Sequence, residues 1–320
     1  MQNNPIRIGT RESQLAIWQA DLVKKLLEDN GHAAELVFIK SEGDIDLVTP
    51  LYAMGVQGVF TRSLDAALLN NRIDIAVHSM KDVPVQLPQG IVQAAVLERA
   101  SYKDILVYRE QFTDDSIAQI KEGLPSADNH QLSSLLIGTS SIRRKAQWLN
   151  RYPGTVIENL RGNINTRLKK VEESQWHGAI FAAAGLERIN VRPENSIDLD
   201  WMLPAPAQGA IMVVAREGDD KLLKAFAPIN HNDTATAVKV ERDFLSALMG
   251  GCSTPISALA EVTPQGILFK GNIISPDGSQ KVAVERAFSK AEADNAGTLA
   301  GHYVLEQGGR EIVTAFKNAK

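Results

Sequence analysis

The sequence predicts an α/β fold followed by a smaller α+β unit, and three observations carry that expectation. Up to about residue 249, short apolar runs with strand texture alternate with segments of helical periodicity, the pattern of an α/β protein. The remainder changes texture: three strand-like runs are separated by PQG and PDG turns and followed by one helical stretch. The chain has 320 residues, 44% of them hydrophobic, which exceeds what one core usually holds, so two or three domains are expected.

The elements follow in order. Ile6 and Ile8 flank Arg7 in a strand ending at Gly9. A helix starts near Ser13, with Leu15, Trp18, Leu22, Val23, Leu26 and Leu27 in one apolar stripe, and stops at Asn30 and Gly31. Leu36 to Ile39 read as a buried strand. Residues 41–58 hold three glycines and a proline without a clean period and read as loop. A helix from about Phe60 to Leu69 precedes the strand at 73–77. Residues 112–133 are polar and poorly periodic, a long loop or insertion. The strand 135–138 runs into a helix at 139–149, which Thr139 and Ser140 are suited to cap. Val156 and Ile157 make a short strand. Residues 178–186 read as a strand and a small-residue turn or helix, 211–215 as a strand, and 233–249 as a helix. Strands are expected near 256–262, 267–274 and 280–287, then a helix over about 291–307.

Charged residues make up 22% and the formal net charge is −4, which argues against wholesale disorder and against indiscriminate coating of nucleic acid. The start lacks the layout of a signal peptide, and no stretch approaches the roughly 18 apolar residues of a membrane span. A single cysteine excludes an intrachain disulfide, and six histidines lack ligand spacing, so no metal site is expected. The expectation is a soluble cytoplasmic protein.

Three constellations carry chemistry. In HSMKDVP, residues 78–84, four reactive side chains fall within five positions directly after a strand, where α/β folds bind ligands. Asp82 followed by Pro84 also fits an ordinary turn. In TSSIRRK, residues 139–145, Arg143 and Arg144 sit at a strand-to-helix turn whose free N–H groups favour an anion. Arg161 and Arg167 follow the next strand and extend a basic run suited to a carboxylate-rich or phosphate-rich ligand. Lys145 and Arg151 fit a solvated face better. In MGGCSTP, residues 249–255, the lone Cys252 has two glycines beside it; the spacing leaves both a reactive thiol and a buried small hydrophobe open. LPAPAQGA, residues 203–210, reads as a crossover between domains.

These segments together resemble the porphobilinogen deaminase (hydroxymethylbilane synthase) family. RIGTRESQLA at 7–16, DIAVHSMKDVP at 74–84, GTSSIRR at 138–144, LRGNINTRL at 160–168, AAAGLERI at 182–189, QGA at 208–210 and GGCSTPI at 250–256 occur in the family's order over nearly the whole chain. The resemblance implies two doubly wound domains like the halves of a periplasmic binding protein, residues 1–99 with 201–227 and residues 100–200. A small α+β domain with an antiparallel sheet, residues 230–320, follows. It implies a transferase of porphyrin and heme biosynthesis, monomeric and cytoplasmic, acting on the small molecule porphobilinogen with no nucleic-acid or membrane partner. Four substrate molecules are joined, with loss of ammonia, to a dipyrromethane held as a thioether on Cys252, and hydrolysis releases the linear tetrapyrrole.

By the same resemblance, Asp82 contacts pyrrole N–H groups and stabilises cationic charge. Arg11, Ser13, Lys81, Arg143, Arg144, Arg161, Arg167 and Arg188 bind the acetate and propionate groups, with Arg11 and Arg144 best placed for the incoming unit. The chain departs from the family at Ala53 and Gln57, where lysines are common, at Ser63, where a glutamate is, at Val48, where an acidic residue is, and at Ala207, where glycine is. Two rivals belong to other classes. A non-catalytic receptor for a dicarboxylate or pyrrole, or a diverged paralogue, would carry no adduct at Cys252, and a nucleic-acid module using residues 143–167 would bind with strong salt dependence.

Overall fold

The computed structural model describes residues 4–40, 58, 60–109, 112–124, 135–248 and 254–318. Val48, Ala53, Gln57 and Cys252 lie outside the described residues.

The first sheet takes strands β1 (Ile6–Thr10), β2 (Ala34–Phe38), β3 (Ile75–Ser79), β4 (Ile91–Val96) and, from much later in the chain, β10 (Ile211–Arg216). The second takes β5 (Asp104–Tyr108), β6 (Leu136–Gly138), β7 (Val156–Glu158), β8 (Gly178–Ala182) and β9 (Ser196–Asp198). Their spatial orders are β2-β1-β3-β10-β4 and β7-β6-β8-β5-β9. In each sheet the first three strands run parallel and the fourth runs antiparallel to both its neighbours. The two units are therefore the same mixed, doubly wound design, each with its fourth strand supplied by the chain as it arrives from the other unit.

Alternate residues of each central strand feed opposite cores, the period-2 rule of a sheet buried on both faces. Ile75 and Val77 of β3 join the core under helix α1 (Gln14–Asp29), whereas Ala76 joins the one under α2 (Arg62–Leu69). In the second unit Ile105 and Val107 face one core and Leu106 the other, where Trp148 and Tyr152 pack. The polar stretch after residue 112 contains a helix, α3 (Asp114–Glu122), where a loop was expected. The Thr113 side chain caps it and Gly123 ends it at φ 68°. Helix α4 (Ile142–Arg151) is capped by Ser141, not by Thr139 or Ser140. Those two turn the chain instead: Thr139 Oγ1 accepts from the Ser141 N–H, and Ser140 Oγ donates to the Leu160 carbonyl. Helices α5 (Ile164–Glu173), α6 (Ala183–Arg188) and α7 (Asp220–Phe226) complete the two units.

The chain crosses between the sheets twice, after β4 and before β10, and the crossings touch. A side chain at Gly209 (φ 87°) would meet the carbonyls of Ala100 and Ser101 at 2.7 Å. Ala207 sits at φ 63°, which explains why glycine suits that position. The strain is of order 1 kcal/mol, and it is opposed by burial of the methyl group and by a 2.7 Å bond from the Ala207 N–H to Glu241.

The third unit is an antiparallel sheet, β11 (Ile256–Thr263), β12 (Gly266–Ile274) and β13 (Lys281–Ser289), packed on helix α8 (Asn232–Ala247). The helix expected over 291–307 is divided: a 3-10 turn at Lys290–Asn295, helix α9 (Ala296–Val304), a kink at Leu305–Gly309 and helix α10 (Arg310–Asn318). Gly308, at φ 102°, makes the break. Buried Glu241 of α8 ties the units together. It accepts from Arg99 at 2.6 and 3.1 Å, from Ala207 N at 2.7 Å and from Ala260 N at 2.8 Å.

Candidate active site

A cavity of about 290 Å³ lies between the two doubly wound units. Three helices begin at its wall: Ser13 caps α1, Ser141 caps α4 and Asn163 caps α5, and all three caps line the cavity. Converging helix N-termini present free N–H groups and positive partial charge, a setting for anions.

The cavity takes one carboxylate from the turn after β3. His78 and Ser79 end the strand, and Met80–Asp82 form a single 3-10 turn that puts Lys81 and Asp82 on the cavity wall. Arg242 of α8 holds this turn from behind, donating to the carbonyls of Val83 at 3.0 Å, Pro84 at 2.6 Å and Val85 at 3.1 Å. His78 is buried. Desolvation, then the nearby Arg11 charge, push its pKa down to about 4, so it is neutral at pH 7. The Arg11 guanidinium lies 4.3 Å from the centre of the Phe60 ring.

The opposite wall is cationic. Arg143 and Arg144 share Asp104, a fully buried residue at the start of β5: Arg144 Nε and Nη2 donate to Asp104 Oδ1 at 3.1 and 2.8 Å, and Arg143 Nη1 lies 2.7 Å from Oδ2. Burial alone would raise the Asp104 carboxyl, but the two guanidiniums outweigh it and hold the group far below the usual carboxylate range. Arg144 Nη1 donates to the Ile180 carbonyl, so three of its five N–H donors have partners among the described residues. The Arg143 Nε is buried without a hydrogen-bond partner among the described residues. Arg167 Nε donates to the Gly162 carbonyl at 2.7 Å. Burial, reinforced by Arg144 and Arg161, lowers its pKa to about 10, which leaves it charged at pH 7.

Among the described residues, Arg11, Lys81, Arg143, Arg144, Arg161 and Arg167 line the cavity against the single carboxylate of Asp82. Ser13 joins them. Arg188 does not: it stacks over Trp18 at 5.6 Å and donates to the Gly209 carbonyl at 2.7 Å, bracing the crossing segments outside the wall. Arg151 also points elsewhere, over the Trp201 ring at 5.1 Å. Sequence reasoning missed Asp104 and gave Gln208 no chemistry. A lone acid opening the apolar run DILVY was the available signal for the first, and a polar residue wedged into LPAPAQGA for the second. The donor set fits a ligand with several carboxylates: among the described residues, six cations and three helix N-termini line the cavity, and Asp82 is the one acid on its wall.

Fold and cavity define a protein of two doubly wound lobes with a cation-lined cavity between them and a third, antiparallel unit tied to the segments that cross between the lobes. Residues 6–224 match the family profile "Porphobilinogen deaminase, dipyromethane cofactor binding domain", and residues 235–305 match "Porphobilinogen deaminase, C-terminal domain". The chain is 40% identical over 321 residues to the porphobilinogen deaminase of Syntrophotalea carbinolica, covering 98% of this chain and 97% of that protein. The chain belongs to the porphobilinogen deaminase family. Among solved structures it overlaps the methionine binding protein MetQ (15% identity, 71% of this chain and 90% of that one, TM-score 0.42). It also overlaps the periplasmic VFT2 domain of Bordetella pertussis BvgS (15%, 72% and 90%, TM-score 0.41).

Proposed function

We propose that this chain is a hydroxymethylbilane synthase, which joins four porphobilinogen molecules with loss of ammonia and releases a linear tetrapyrrole by hydrolysis. One observation carries the reading: among the described residues, six cations and a single carboxylate line one cavity between the two doubly wound units. Each substrate brings an acetate and a propionate, so the ligand gains two negative charges per addition, and the cationic wall answers that growth. Arg143, Arg144, Arg161 and Arg167, with Ser13 and the N-termini of α1, α4 and α5, would hold dipyrromethane, for which Cys252 is the proposed thioether anchor. When bound, that group supplies the pyrrole carbon to which the first unit is joined.

Asp82 acts where charge develops. Loss of ammonia from the aminomethyl pyrrole leaves an electron-poor methylene, and a carboxylate on the cavity wall stabilises that positive charge and accepts pyrrole N–H bonds. Arg11 and Arg144, on facing walls of the cleft, bind the carboxylates of the incoming unit, and Lys81, beside Asp82, binds those of the held chain. Arg188 supports the crossing segments behind it.

The same proposal takes residues 1–99 with 201–227, 100–200 and 230–320 as the three domains, supported by the strands each sheet contains. It takes the protein as a cytoplasmic monomer with small-molecule partners alone. Among the described residues no helix is long and apolar enough to cross a membrane. The test is turnover of porphobilinogen by purified protein, followed by ammonia release and by absorbance of the oxidised product. Asp82→Ala should lower kcat by about a hundredfold or more while the protein stays folded; near-normal turnover by this variant would defeat the assignment.

A further inference from the structure

Gln208 sits in the second crossing segment, 1% exposed, with a side chain that reaches both halves of the cleft. Its Nε2 donates to Asp104 Oδ1 at 2.9 Å and to the Tyr102 carbonyl at 2.8 Å. Its Oε1 accepts from Lys81 Nζ at 3.3 Å. The orientation of this amide is dictated by its neighbours: exchanging N and O would set an NH2 group against an ammonium and an oxygen against a carboxylate. Its backbone is held as well. The Gln208 carbonyl accepts from Arg99 Nε at 2.8 Å, and the Gln208 N–H donates to the Ala205 carbonyl at 2.9 Å. The next residue, Gly209, lies against the first crossing too closely to admit a side chain.

We propose that Gln208 is a positioning residue of the site: anchored by Asp104, its oriented amide presents an acceptor to Lys81 and keeps the Lys81 ammonium charged at the cavity wall. The inference rests on the reading of Lys81 as a carboxylate-binding residue. It joins Arg143 and Arg144, Asp104, Gln208 and Lys81 in one path of ion pairs and hydrogen bonds, so the cations of the two lobes are set by a side chain of the connection between them.

The surroundings of Lys81 make that acceptor consequential. Burial most strongly disfavours its charged form. Asp82, beside it, and Asp104 of β5 favour the ammonium, while Arg144 and Arg143 of α4 oppose it, and the balance leaves the pKa lowered to about 8. An amine that titrates so near neutrality is sensitive to the loss of a single bond to its charged form. Exposed lysines at their ordinary value are not.

The experiment reads Lys81 directly. Purified protein is labelled with a trace of acetic anhydride across about pH 6 to about pH 10, and the Lys81 peptide is followed by mass, with exposed Lys239 as internal reference. The wild-type midpoint should lie near 8. Gln208→Met, close in shape but without the acceptor, should lower it by about one pH unit. Gln208→Asn, too short to span both partners, should shift it the same way. An unmoved Lys81 midpoint in both variants, whatever happens to their melting temperature, would overturn the inference. Turnover of Lys81→Met tests the underlying reading separately, with a KM rise of about tenfold expected. Unchanged kinetics there, beside a shifted labelling midpoint, would leave Gln208 a structural tie and would also defeat the proposal.

Discussion

Asp104 sets the charge balance of the cleft from behind its wall. A carboxylate with no exposed surface is expensive unless paired, and here two guanidiniums and an amide surround it. The pairing holds Arg143 and Arg144 still and leaves part of each guanidinium for a ligand. Asp104→Asn removes the charge with little change of shape, and should destabilise the protein by about 3 kcal/mol or more, since two buried cations lose their partner. The sign with pH follows from the depressed carboxyl. Its contribution is complete above the unfolded value of about 3.9 and is lost as pH falls toward the much lower folded value. Urea unfolding should therefore give a gap between wild type and variant that is constant from neutral pH to about pH 5 and narrows below about pH 4. A gap that widened in acid would contradict the ion-pair account. None of this was legible in the sequence, because the partners of Asp104 lie 40 positions away at Arg144 and 104 positions away at Gln208. What was legible was the type of residue: Lys81 and Asp82 directly after a strand, and Arg143 and Arg144 at a helix start.

Elements show why some local signals were readable and others not. Helix α4 carries its function at one end. Arg143 and Arg144, in its first turn, reach the cavity, whereas Arg151, at its last position, lies on Trp201. Arg144→Leu should lower turnover by about a hundredfold. Arg151→Leu should leave turnover within a few-fold and lower stability by about 1 kcal/mol, through loss of the stacked guanidinium. Equal kinetic losses would contradict the placement. The expected exposed position of Arg151 is corrected by that ring contact, which periodicity does not encode. The strands were readable because both faces of each central sheet are apolar. Helix α3 was not, because it is polar along most of its length and is identified by its cap and by Gly123. The break at Gly308 was hidden inside an otherwise helical pattern. Between α8 and α9 the approach is close: a side chain at Gly297 would lie 2.0 Å from the Val240 carbonyl oxygen and 2.8 Å from Phe244 N. Gly297→Ala should lower stability by about 1–3 kcal/mol in thermal or urea unfolding, and a neutral result would mean the helices separate without penalty.

At the scale of the whole molecule, the repeated strand order places two strand-to-helix turns face to face across one cavity, and the crossings bring Gln208 between them. The third unit is tied in through α8, whose Glu241 holds the crossing segment and whose Arg242 holds the turn bearing Asp82. Helix α8 ends at Ala247, five residues before Cys252, so the element that supports the proposed catalytic carboxylate also leads to the proposed anchor. A polyanion fixed at that anchor would be retained through successive additions at high effective concentration. The most direct measurement is the intact mass of freshly purified protein, with peptide mapping around Cys252 and a parallel assay of turnover. The mass should exceed that of the sequence by two porphobilinogen units less two ammonia, located on Cys252. Cys252→Ser should lack the adduct and fail in sustained synthesis. Fully active wild-type protein with an unmodified Cys252 would contradict the proposed anchor.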